Sequence, residues 1–158
     1  MSDPTLHGLV ATRLVEATRV GAHEYVTDVL SKLAASGSAE LPILVARELI
    51  DSCASVIVRH RMSTDDDVLY SFIVENERAE SVDVDNLPPG PRAALRALVA
   101  TLNGDESACD IQVALATRGT PEEAVTVLIH CLMWTLELKN FSPDRCPRLS
   151  CYSDGVRG

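Results

Sequence analysis

The fold is predicted from residues 120–138, which read TPEEAVTVLIHCLMWTLEL. Thr120 suits the N-cap of a helix, Pro121 its first position and Glu123 its third. The residues that follow, up to 138, are apolar on most of the circumference of a helix, and such a helix is buried on most sides. We predict a central apolar helix near residues 121–138. The alternative is a helix whose second face packs on another chain.

Other parts of the chain repeat apolar residues at spacings of three and four, which indicates amphipathic helices. Turn residues separate these segments: Gly37 is a suitable C-terminal cap, residues 87–91 read LPPGP, and residues 103–105 read NGD. The helical segments cover residues 5–35, 41–61, 92–102 and a shorter stretch that ends near 116. The pattern predicts an all-α fold, a bundle of about five to six helices.

Residues 63–86 allow two interpretations. A helix is favoured because Leu69, Phe72 and Ile73 form one helical face, whereas the alternation of a strand would divide them. The β-branched and aromatic residues also suit a short β-hairpin at residues 68–84, with strands at 68–74 and 81–84. Both interpretations stay open at this point.

Length and composition indicate one domain. The 158 residues are 46% hydrophobic and 23% charged, which is typical of a globular chain that buries a single core. Few aromatic residues are present, so the core is expected to be aliphatic. We place the helical domain at residues 1–140 and an irregular C-terminal tail, rich in Pro, Ser and Arg, at 141–158.

The net charge of −9 argues against nucleic acid as a partner and against binding to an anionic membrane, because both need a concentrated basic surface. The acidity is local: residues 65–85 contain eight acids against one arginine, whereas residues 139–158 contain four basic residues against two acids. A basic tail beside an acidic body suits contact with the body or with a partner.

A cytoplasmic location is expected. No basic segment leads into an apolar stretch at the N-terminus, so no signal peptide is visible. The longest apolar stretch, 124–138, is too short to span a bilayer and contains His130 and Glu137. The composition suggests a GC-rich bacterium or its phage as the source. The chain has two lysines against twelve arginines, and Ala and Val are abundant.

The five cysteines are expected to be free thiols in a reducing compartment. Cys146 and Cys151, with His130, form a weak candidate zinc site, since zinc prefers thiolate and imidazole ligands. Their C-x4-C spacing is poor for zinc, and a disulfide between the two cysteines is the other alternative. No metal or other cofactor is predicted.

The remaining cysteines, Cys53, Cys109 and Cys131, fall on or beside apolar helical faces and are expected to be buried as small hydrophobic residues. His23 and Glu24 begin like a metalloprotease helix, but no second histidine follows four residues after the first. No catalytic signature is recognised, so we predict no catalytic residues.

These observations favour a non-enzymatic protein-interaction, assembly or regulatory module that is homo-oligomeric, with itself or another protein as partner. The predicted interaction residues, all on the central helix, are Val127, His130, Met133 and Trp134. One alternative is a small-molecule sensor or carrier with an aliphatic pocket between helices, closed by His130 or Trp134. A cysteine- or metal-dependent enzyme is the second alternative.

Overall fold

The computed structural model describes residues 5–36, 40–60, 72–140 and 147–151, with the backbone alone at His60. These ranges form six helices and one small parallel sheet, so the predicted all-α bundle of five to six helices is confirmed. The helices are α1 (Leu6–Arg19), α2 (His23–Ala35), α3 (Glu40–His60), α4 (Pro89–Leu102), α5 (Glu106–Thr117) and α6 (Pro121–Asn140). The sheet pairs β1 (Ile73–Glu75) with β2 (Arg148–Ser150), and a 3-10 turn covers Val84–Asn86.

Side-chain caps fix where several helices begin. Thr5 accepts a hydrogen bond from the amide of Gly8 at 3.1 Å, and Asp105 accepts one from Ala108 at 3.0 Å. The predicted N-cap Thr120 accepts from the amide of Glu123 at 3.2 Å. Each bond satisfies an amide that the helix itself leaves without a partner. The N-cap that the sequence predicts at Thr120 is therefore a hydrogen-bonding cap in the structure.

The central position of α6 is confirmed. It contacts each of the other five helices and also β2. Its inward side chains are almost completely buried: Val127, Leu128, Cys131, Leu132, Trp134 and Leu138. Gly90 at the start of α4 allows a close approach, since a Cβ atom there would lie 2.8 Å from Val127 Cγ2. The aliphatic core is thus assembled around α6.

The helical interpretation of residues 63–86 is wrong for the part that is described, residues 72–86. The side-chain oxygen of Asn76 accepts from the amides of Arg78 (2.9 Å) and Glu80 (3.0 Å), which holds a turn that competes with helix formation. Ala79 has a φ of 59°, in the left-handed region. The hairpin is reduced to one antiparallel bridge, between Glu75 and Ser81. Residues 63–71 lie outside the described residues.

The tail was expected to be irregular, and this is wrong for Arg148–Ser150, which is β2. It runs parallel to β1 in a register that pairs Val74 with Leu149. Both of these side chains are buried. A strand of three residues with one apolar side chain leaves no periodic signal in the sequence, and long-range pairing with β1 orders it.

Two leucines of α6 provide a test of this arrangement. Leu132 is 1% exposed, whereas Leu136, one turn further along the helix, is half-buried. We expect Leu132→Ala to lower the free energy of unfolding by about 2–5 kcal/mol, because it leaves a cavity in the core. Leu136→Ala should lower it by about 1 kcal/mol or less. Urea unfolding of dilute protein measures both variants. Equal losses would contradict the difference in burial between these two leucines of α6.

Candidate interaction surface

The outer side of α6 carries a row of apolar side chains. Val125, Ile129, Met133 and Leu136 follow one another at spacings of four, four and three. At about 100° per residue they lie on the side of the helix opposite Val127. Ile129 is 40% exposed and the other three are half-buried. We call these four residues the α6 stripe; at 1.5 Å per residue it is about 16 Å long.

The α6 stripe is free of charge along its length. From 124 to 136 the helix contains no Asp, Glu, Lys or Arg. Glu122 is exposed at its N-terminal end, and Lys139, beyond its C-terminal end, lines the hollow between α1, α3 and α6. The hydroxyl of Thr126, which lies beside the stripe, donates to the carbonyl of Glu122 at 3.0 Å. The neighbouring polar group is therefore satisfied within the helix.

The predicted interaction residues divide between the two sides of α6. Val127 and Trp134 are fully buried, and His130 is 3% exposed. Met133 is half-buried and belongs to the α6 stripe. Three of the four predicted residues therefore pack inside this chain. Sequence reasoning could not separate the two sides, because α6 is apolar all round and its hydrophobic period has no clear direction.

The inward side of α6 holds the C-terminal strand. Trp134 Nε1 donates to the carbonyl of Ser150 at 2.7 Å. The amide of Ser150 donates to a carboxylate oxygen of Glu137 at 2.9 Å, and the Ser150 hydroxyl donates to the other oxygen. These contacts satisfy Ser150 on the edge of β2 that faces α6. Trp134 and Glu137 thus position the strand.

His130 is a satisfied core residue. Its Nδ1 lies 2.7 Å from the carbonyl oxygen of Thr126, so this nitrogen carries the proton and donates it. The ring meets Trp134 edge-on, with 6.0 Å between centroids. Burial lowers the pKa of His130, and the hydrogen bond to Thr126, which raises it, offsets part of this effect. The imidazole is therefore neutral at neutral pH.

The described cysteines are free and buried, as predicted for Cys53, Cys109 and Cys131. Burial raises the pKa of Cys53 to about 12 and that of Cys151 to about 11. A nucleophilic or metal-binding cysteine needs the opposite shift, toward the thiolate.

The weak zinc candidates lie only partly within the described residues. Cys151 is a buried thiol and His130 binds a backbone carbonyl, whereas Cys146 lies outside the described residues. Within the described part of the chain, no group of three or more His, Cys, Asp or Glu side chains is arranged to hold a metal ion.

The described surface has hollows that could accept a ligand, among them a cleft and a smaller hollow. A cleft of about 830 Å³ lies between α3 and the start of α5, and Arg47, Arg59 and Glu106 line it. Arg47 is already held by Asp51, at 3.2 Å, and by Asp110. A hollow of about 270 Å³ between α1, α3 and α6 is lined by Thr135 and Lys139, among others. Neither is lined by His130 or Trp134, so the aliphatic pocket stays a prediction.

None of the described helices combines the length and the hydropathy needed to cross a bilayer.

The buried imidazole predicts a pH dependence of stability. The folded-state pKa of His130 is below its ordinary value, so the unfolded chain binds more protons as the pH falls below about 6.5. The stabilisation that comes from keeping His130 neutral is complete above that pH and is lost as the pH falls below it. We expect His130→Gln to reduce the loss of unfolding free energy between about pH 7.5 and about pH 5. Denaturant unfolding at both pH values measures it.

The control is His23→Gln, because His23 is exposed on α2. This variant should keep the pH dependence of the unmodified chain. An unchanged pH dependence in His130→Gln would contradict the assignment of a buried, neutral imidazole.

The contact between Glu137 and β2 predicts a local effect. The amide of Cys151 donates to the carbonyl of Glu75 at 2.9 Å, so its hydrogen exchange reports on the pairing of β2 with β1. Glu137→Ala should speed exchange of this amide about tenfold or more, because it leaves the Ser150 amide and hydroxyl without their acceptor. Glu123→Ala, exposed on the same helix, is the control. Equal exchange in both variants would rule out a role for Glu137.

Comparison of the chain with family models, with curated protein sequences and with solved structures finds no significant match.

Proposed function

We propose that this protein is a non-enzymatic interaction module that self-associates through the α6 stripe. The observation that carries the proposal is that the helix at the centre of the core also has an apolar row that its neighbours cover only in part. Ile129 is 40% exposed, and Val125, Met133 and Leu136 are half-buried. An apolar row on an exterior face is stabilised when a second surface removes it from water. The proposed contact surface is thus a face of α6 that the other helices cover only in part.

Other exposed apolar residues form shorter groups. On α5, Ile111 is 60% exposed and Leu115 is 48% exposed. On α1, Leu6 and Leu9 are exposed at the start of the described chain. Each pair covers about one helical turn, and isolated exposed apolar residues are common on monomers. The α6 stripe covers about three turns, with Ile129 exposed and the other three side chains half-buried. Its length favours it as the docking face.

The size of the α6 stripe sets the expected strength of association. A single helix face about 16 Å long buries less than the roughly 800 Å² per partner of a standard interface. The net charge of −9 also adds repulsion between copies. We therefore propose a reversible, concentration-dependent association rather than an obligate oligomer whose subunits fold together.

The proposed site of action is the cytoplasm. Cys53, Cys109, Cys131 and Cys151 are unpaired thiols, and free thiols suit a reducing compartment. A bacterial or phage source, suggested by the composition, is part of the same proposal.

Sedimentation equilibrium over about 1 µM to about 1 mM tests the function, a range that includes weak dimers. We expect the unmodified chain to change from monomer to a larger species with concentration. Ile129→Glu should shift the midpoint by about tenfold or more, since it buries a charge at the interface.

The matched control is Ile111→Glu, which places the same charge at the more exposed position on α5. It should leave the association within about twofold of that of the unmodified chain, as expected for a position outside the interface. A strict monomer over the whole range, or equal effects of the two substitutions, would contradict the proposal.

A further inference from the structure

We propose that the groove between β1 and α6 is a binding site for an extended, basic peptide, which residues 147–151 occupy as an intramolecular ligand. A partner segment of the same pattern binds there by displacing them. This site lies on the side of α6 that faces β2, and it is independent of self-association through the α6 stripe. The backbone contacts, the alternate side chains and the charges of residues 147–151 carry the proposal.

Along one edge, residues 147–151 are bonded through their backbone to β1. The amide of Ile73 donates to the carbonyl of Pro147 at 2.8 Å. At the other end, the amide of Cys151 donates to the carbonyl of Glu75 at 2.9 Å. Pairing of an extended segment with the edge of a strand is a general mode of peptide recognition, in which main-chain hydrogen bonds supply affinity.

Along the opposite edge, side chains of α6 bind the backbone. Trp134 Nε1 donates to the Ser150 carbonyl at 2.7 Å, and the Ser150 amide donates to Glu137 Oε1 at 2.9 Å. Both bonds use main-chain groups that every residue except proline offers. The Ser150 hydroxyl adds a bond to Glu137 that depends on the residue type. The groove therefore holds an extended backbone from both sides.

The side chains of the bound segment alternate between the groove and the solvent. Three of them are buried: Pro147, Leu149 and Cys151. Arg148 is exposed, whereas Leu149 pairs with Val74 in the parallel register and is fully buried. In recognition at a strand edge, such alternate side chains give specificity. The expected ligand therefore has an apolar residue at every second position, with leucine at the centre.

Carboxylates around the groove favour a basic ligand. Arg148 Nη1 lies 3.4 Å from Glu75 Oε2. Burial, with a smaller contribution from the charge of Glu77, raises the pKa of the Cys151 thiol to about 11, so this carboxylate acts on the same segment. Glu137 lies on the α6 edge. A segment that carries an arginine is therefore electrostatically complementary to the groove.

The walls of the groove are held by contacts that do not involve residues 147–151. The α6 helix packs on all five other described helices. β1 is bonded on its other edge, where the amide of Val82 donates to the carbonyl of Val74 at 2.8 Å. The main contacts of β2, by contrast, are with β1 and α6 alone. Displacement of the segment therefore leaves both walls supported.

Rescue by a peptide tests the site in the full-length chain. Trp134 is the only tryptophan in the sequence, so the NMR signal of its indole N–H reports whether the groove is filled. Leu149→Asp should move this signal, because a charge at the buried position expels the segment. A capped peptide of residues 147–151, carrying Cys151→Ala to prevent disulfides, should then return the signal to its position in the unmodified chain.

Matched controls separate recognition from non-specific effects. The same peptide with Leu149→Asp should be at least about tenfold less effective, since it buries a charge. A peptide with Arg148→Glu should bind about two- to fivefold more weakly at low salt, because it loses an exposed ion pair with Glu75. The protein variant Val113→Ala, a core substitution on α5, should show no response of the indole signal to the peptide.

Three results of this experiment overturn the proposal. The first is an indole signal that Leu149→Asp moves and no concentration of peptide restores. The second is an equal response to the leucine and aspartate peptides. The third is an indole signal that Leu149→Asp leaves in place, because Leu149 then does not anchor the segment.

A second measurement uses the unmodified chain and does not depend on the folding of a variant. The same peptide with an N-terminal nitroxide, at about 5 mM, competes with an attached segment whose effective concentration is about 1 mM. It should broaden the indole signal of Trp134 more than the nitroxide peptide with Leu149→Asp does. Equal broadening by the two peptides overturns the proposal, and neither result bears on the α6 stripe.

Discussion

Burial of α6 is the constraint on which the other parts of the structure depend. Every other described helix contacts it, and its inward side chains supply much of the aliphatic core. Because α6 is apolar all round, neighbours on one side cannot cover it completely. The α4 helix approaches at Gly90, where the lack of a side chain leaves space for Val127. The α6 stripe therefore remains partly exposed on the outer side of the helix. The proposed function rests on this exposure.

Polar groups on α6 are compatible with burial because each is satisfied locally. Thr135 donates to the carbonyl of Cys131 at 2.8 Å, His130 donates to Thr126, and Trp134 donates to Ser150. No buried side-chain nitrogen or oxygen among the described residues lacks a hydrogen-bond partner. An unsatisfied group in this core would cost about 1–3 kcal/mol. His130 and Trp134 therefore stabilise the core and the C-terminal strand, and neither lines the hollows described above.

The sequence predicted the features that depend on local chemistry. Thr120 and Pro121 mark the start of α6, and the apolar residues after them indicate its burial. The pairing of β1 with β2 was not predictable, since it joins segments 75 residues apart in sequence and involves three residues from each. Asn76 is a local signal against a helix in residues 72–86, because its side chain competes for backbone amides.

The candidate surface was predicted at the level of the helix but not of the residue. Of the predicted interaction residues, Met133 is half-buried, whereas Val127, His130 and Trp134 are buried in the core. Choosing the outward side needs the positions of the neighbouring helices, which only tertiary structure supplies.

The most direct test of the central claim follows side-chain methyl signals by NMR while the protein is concentrated. The account predicts concentration-dependent shifts at Val125, Ile129, Met133 and Leu136, with Leu132 and Ile111 unchanged. Shifts centred on Ile111 and Leu115, or no shifts while the protein associates, would contradict the assignment of the docking face to the α6 stripe.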